Sequence, residues 1–168
     1  MKRSAILVAA AYVCLTSPAL AQNSASLALH QNGAENTANV VQNAADSAEA
    51  RLFQTGQAND AVLTQAGAAE AMLFQRGEGN SARVVQDGSL IGAAQAWLVQ
   101  AGEGNVAQVS QAGGGDLAAL SQNGQANFMN VSQTGGDNSA VLIQNGVGLA
   151  LVVDQLGGAS IVIFQTGP

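Results

Sequence analysis

Residues 54–65 read QTGQANDAVLTQ, residues 75–86 read QRGEGNSARVVQ and residues 100–111 read QAGEGNVAQVSQ. Each stretch opens and closes on Gln. Each has Gly two residues after the first Gln, Asn at five, Ala at seven and an aliphatic residue at nine. From Asn onward the marked positions are two apart. Residues two apart share a face in a strand, not in a helix.

Working outward, the same Gln recurs as Gln31, Gln42, Gln54, Gln65, Gln75, Gln86, Gln100, Gln111, Gln122, Gln133, Gln144, Gln155 and Gln165. Eight of the twelve intervals are 11 residues, and the longest, 14, separates Gln86 from Gln100. Gly follows two residues after the Gln in twelve of thirteen cases, with Ala44 the exception. The residue two before it is always aliphatic, and Ala stands four before it nine times. Period-2 segments broken by Gly every eleven residues read as strand, turn, strand, turn. Stretches such as residues 44–53 and 66–74 are rich in Ala and Glu and tolerate a helix. The Gly of fixed phase stops any such helix before three turns.

The full period is twice eleven. The aliphatic position is Leu at Leu29, Leu52, Leu73, Leu98, Leu120 and Leu142, and between them Val40, Val84, Val109, Val131 and Val153, with Leu63 out of type. Asn36, Asn59, Asn80, Asn105 and Asn127 open the Val-type strands. The expected fold is therefore all-β, a β-solenoid of about six and a half 22-residue turns. Each turn holds two short strands, one in each of two facing parallel sheets stacked at about 4.8 Å. The inward set is Asn or a small residue, Ala, Leu or Val, then Gln. A buried amide without a partner costs about 1–3 kcal/mol. Stacked in register, each Gln and Asn can instead bond the same residue one turn away, as in cross-β stacks. These thirteen glutamines and five asparagines are the candidate amide ladder, and the recurring Gly supplies tight corners.

The first 21 residues are different. Lys2 and Arg3 precede an apolar run at residues 5–15, and Pro18-Ala19-Leu20-Ala21 ends in an A-x-A pattern. That is the layout of a secretory signal peptide cleaved after Ala21, too short in its apolar part to span a bilayer. The expected domains are a signal peptide at 1–21 and a repeat domain at 22–168. The latter has no Lys, Cys or Tyr; its three Arg against all eleven acids give 3 − 11 = −8. Such a surface argues against nucleic acid as a partner. Without Cys, disulfides cannot staple the domain.

The repeat resembles that of the curlin family, Q-x-G-x-x-N-x-A-x-x-x-Q, over nearly all of residues 22–168. The resemblance implies a subunit of curli, the bacterial surface amyloid fibres of adhesion and biofilm matrix. It implies secretion through an outer-membrane export pore and assembly outside the cell. The partners would be further copies of the chain and a second curlin-like subunit. The chain departs from the family in its short polar stretch, Gln22-Asn23-Ser24, before the first strand. It departs also in a three-residue expansion within 89–93, in Leu149 for Asn, and in Met129, Leu151 and Ile161 for Ala.

No catalytic constellation is expected. His30 is the only His, so the chain offers no His-based triad, no His-containing metal cluster and no cofactor motif. Gly113-Gly114-Gly115-Asp116 matches a calcium-solenoid repeat only once and reads as a corner. Two non-enzymatic readings remain, a fibre subunit and a monomeric solenoid adhesin. Solenoid monomers need polar caps, whereas the apolar Ile161-Val-Ile-Phe-Gln165 lies at the last strand. Phe53, Phe74, Trp97, Ile143 and Phe164 fall on the outward side of the Leu-type strands and form a candidate face for lateral association.

Overall fold

A computed structural model describes residues 10–16, 24–43, 47–88 and 92–168. Every element among them is a strand or a turn. One parallel sheet holds β1 (Ala10–Thr16), β3 (Thr37–Asn43), β5 (Asp60–Ala66), β7 (Ser81–Asp87), β9 (Val106–Ala112), β11 (Phe128–Thr134) and β13 (Ala150–Leu156), in that spatial order. The other holds β2 (Ala25–Ala34), β4 (Ala48–Gln57), β6 (Ala69–Glu78), β8 (Ala94–Glu103), β10 (Leu117–Gln125), β12 (Ser139–Val147) and β14 (Ser160–Thr166). The chain alternates between the sheets, so each pair of strands is one turn of a β-solenoid.

The register is the one the Gln spacing demands. Gln75 pairs with Gln54 on one side and Gln100 on the other, and Gln111 pairs with Gln86 and Gln133. Irregular intervals are absorbed at corners, leaving the strands in step. Between the sheets, the Ala and Leu/Val positions form one continuous core in which Leu52, Leu63, Leu73, Leu98, Met129 and Leu142 are fully buried. Small Ala side chains let the two sheets approach. Met129, where the repeat has Ala, is accommodated inside. Leu27, Leu151 and Ile161 take the same inner position at the ends of the stack and are only partly buried.

Two features differ from the sequence reading. The described residues form fourteen strands, not thirteen, because residues 10–16 of the expected signal peptide pair with β3. Their alternating Ala11, Val13 and Leu15 stand in register with Ala38, Val40 and Gln42. An apolar run rich in strand-forming residues suits an otherwise open sheet edge. The Leu-type strands β2, β4, β6, β8, β10 and β12 also run longer than the short strands expected, at nine or ten residues, since pairing continues through the Gly. The expected cleavage site at Ala21, the Ala44 corner and residues 89–91 of the expansion lie outside the described residues.

Candidate functional site

The structure brings the thirteen glutamines into two columns, one per sheet. In the Leu-type sheet, Nε2 of Gln31 donates to Oε1 of Gln54 at 2.7 Å. Gln54, Gln75, Gln100, Gln122 and Gln144 continue the chain of amides to Gln165, at 2.8–3.1 Å. In the Val-type sheet the column runs from Gln42 through Gln65, Gln86, Gln111 and Gln133 to Gln155, at 2.8–3.0 Å. All but Gln31 and Gln165, at the two ends, are buried. The second amide hydrogen reaches backbone: Gln54 Nε2 also approaches the carbonyls of Thr37 and Asn59 at 2.9 and 3.1 Å. A buried mid-ladder side chain such as Gln54 therefore ties together its own turn, the next turn and the facing sheet.

Asn36, Asn59, Asn80, Asn105 and Asn127 form a third column at the corner opening the Val-type strands, all buried. Here the amide donates backward. Asn80 Nδ2 and its backbone N–H both bond Asn59 Oδ1, at 3.0 and 3.2 Å. Asn80 Nδ2 also donates forward to the Gly102 carbonyl at 2.9 Å. The link between Asn and Gly in the repeat is thus direct. Positive φ at Gly102 (+115°) turns its carbonyl toward the Asn amide. Any side chain there would meet the next turn, since a methyl group at Gly102 would lie 1.9 Å from the Gly124 carbonyl oxygen.

The chain matches no family model, no curated protein and no solved structure.

A fourth, shorter column escaped the sequence reading. Asp116 and Asn138, at the corner opening β10 and β12, are buried like the ladder asparagines. Asn138 donates its backbone N–H and Nδ2 to Asp116 Oδ1 at 3.0 and 2.9 Å. Asn138 Oδ1 accepts from Ala159 N–H. The signal was present, since both residues stand six before a ladder Gln, as the five asparagines do. Among the described residues Asp116 Oδ2 has no partner. It lies where the other asparagines place Nδ2: a methyl group at Gly113 would be 3.3 Å from it and 1.3 Å from the Gly135 carbonyl oxygen. An amide there could donate to that carbonyl; a carboxylate oxygen cannot. Asp116→Asn is expected to stabilise the fold by roughly 1–3 kcal/mol, the cost of an orphaned buried polar group. A chemical-denaturation midpoint equal to or below that of the parent would contradict the assignment.

On the outer side of the Leu-type sheet, Phe53 and Phe74 stack with ring centroids 4.7 Å apart and planes 7° from parallel, and His30 lies 6.2 Å from Phe53. Phe74, Trp97 and Phe164 are exposed, and Ile143 is half-buried. The row is interrupted at Ser121, where Trp97, Val99, Val141 and Ile143 border a shallow apolar groove. The opposite outer row, Val41, Thr64, Val85, Ser110, Ser132 and Asp154, carries no aromatic ring. Among the described residues no three His, Cys, Asp or Glu side chains converge where a metal ion could be held.

Proposed function

We propose that the chain is a secreted structural subunit that polymerises into curli-like extracellular amyloid fibres serving adhesion and biofilm matrix. The observation that carries this reading is the complementarity of the two ends of the stack. At one end Gln165 Nε2 donates to nothing among the described residues, and the backbone of β14 is an open edge. At the other, Gln42 Oε1 is buried and accepts from nothing among the described residues. All strands are parallel and in register, so a second copy can extend both ladders without changing their direction. Open edges of this kind template further strands. The partly buried Leu27, Leu151 and Ile161 add apolar surface to the same ends. The exposed Phe and Trp residues of the Leu-type face would hold fibres side by side. Export through an outer-membrane pore and a second subunit as nucleating partner belong to the same proposal and rest on the repeat's resemblance to curlins.

The test is to incubate the processed chain and record thioflavin fluorescence and fibre diffraction. Thioflavin-positive fibres with a reflection near 4.8 Å are expected. In the same fibres, Phe53, Phe74 and Phe164 changed together to Ser should abolish bundling, since each buried Phe contributes roughly 1.5–3 kcal/mol. A chain that stays monomeric at high concentration would instead be a solenoid adhesin, and the fibre reading would fall.

A further inference from the structure

The thirteen strands from β2 to β14 make six and a half turns, not a whole number. With β2 at height zero, β3 stands at one half, β13 at five and a half, and β14 at six. The next free place is above β13, in the Val-type sheet. A second copy, however, begins with a Leu-type strand. If its faces are aligned with those of the first copy, its β2 pairs with β14 but its β3 stands two places above β13. One strand-wide slot then stays empty, and two strands lose their backbone pairing. Letting its β3 pair with β13 instead would put its β2 where β14 already lies.

We infer that successive copies dock with a half-revolution about the fibre axis, so that β2 of the incoming copy pairs with β13 and its β3 pairs with β14. The inference rests on the fibre reading and on removal of residues 1–21. In this arrangement both sheets continue without a gap. The ladder directions also match, because within the chain every bond from one ladder Gln to the next is donated toward the later turn. Gln155 would donate to Gln31 of the next copy and Gln165 to Gln42, filling the orphaned acceptor.

β1 shows that β3 accepts such a strand. It pairs in parallel, Ala10 with Thr37 through Thr16 with Asn43, seven residues in all. The seven residues of β14, Ser160 to Thr166, fit the same places one for one. Gln165 then stands opposite Gln42, where β1 has Leu15. β1 therefore occupies the docking position of β14, and the leader would keep this end closed until it is cleaved.

The half-revolution sets the fibre's dimensions. Six and a half turns at about 4.8 Å give a rise of roughly 31 Å per copy and a repeat of roughly 62 Å. The aromatic face changes sides at every copy, so lateral contacts recur at that longer interval.

Disulfide trapping tests it, since residues 22–168 contain no Cys. Facing residues on adjacent strands lie within disulfide reach. The full chain is produced with its leader, processed, allowed to assemble and oxidised. Val41→Cys with Phe164→Cys, and independently His30→Cys with Asp154→Cys, should give a ladder of covalent multimers on a non-reducing gel. His30→Cys with Phe164→Cys should give monomer only. Fibres that cross-link through the His30 and Phe164 positions, or through none of the three pairs, overturn the half-revolution and leave polymerisation standing. Failure of the unsubstituted chain to assemble overturns both.

Discussion

Gly102→Ala is expected to cost more than about 4 kcal/mol, a loss at the extreme of single substitutions. Three effects fall on one atom. The backbone sits at φ +115°, where an L side chain is strained by roughly 1–3 kcal/mol. The new methyl group would lie 1.9 Å from the Gly124 carbonyl oxygen, so the next turn must move away. That movement lengthens the strand pairing of β8 with β10 and disturbs the Asn105 amide, which donates to the same Gly124 carbonyl at 3.0 Å. In a solenoid each turn is held only by its neighbours, so a break in mid-stack divides the domain. Gly104→Ala is the control. Its φ is +61°, but no atom lies within 4 Å of the added methyl, and Ala58 and Ala126 occupy the equivalent corner elsewhere. Its cost should be about 1–2 kcal/mol, that of a left-handed Ala. Equal urea midpoints for the two variants would show that backbone conformation, and not the packing of turn on turn, fixes these glycines.

The sequence made the fold legible because two periods coincide. Spacing by two within each segment specifies strands, and recurrence at eleven, with Leu alternating with Val, separates the strands into two sheets. A one-residue slip would turn the Ala, Leu or Val and Gln of a strand to the outer face; the pairing of Gln with Gln in the structure is the arrangement without such conflict. The ladder positions were legible for the same reason, as a polar residue held in phase with buried aliphatics needs a partner of its own kind. Three things were less visible. β1 is drawn from a segment whose charge and apolar pattern read as a signal peptide in the sequence, so its strand pattern carried no weight. The length of the Leu-type strands depends on Gly remaining within the ladder of backbone bonds, which its usual place in turns conceals. The Asp116–Asn138 column spans only two turns, too few to register as a repeat, and Ala94 and Ala69 hold the same place in the turns before it.

Gln100→Ala should destabilise the chain by roughly 3–5 kcal/mol, against less than about 0.5 kcal/mol for Gln125→Ala. Gln100 lies at mid-stack and is buried. It accepts from Gln75 at 3.0 Å and donates to Gln122 at 2.9 Å. Its amide also reaches the Ser81 and Asn105 carbonyls, each at 3.0 Å. Alanine removes all four contacts and leaves a cavity where the amide and the methylene bearing it stood. Gln75 Nε2 keeps two backbone acceptors, but Gln122 Oε1 loses its ladder donor in a place closed to solvent. Gln125 is exposed at a corner, and among the described residues its side chain bonds only the Glu103 carboxylate, at 3.3 Å. Water replaces that contact at little cost. Gln100→Leu separates the remaining contributions, because it restores apolar volume while leaving Gln122 unsatisfied. If the ladder bond dominates, the Leu variant stays near the Ala variant in denaturation midpoint. If filling the space dominates, it returns most of the way to the parent, and the glutamines would then be held in phase by their size and not by their amides.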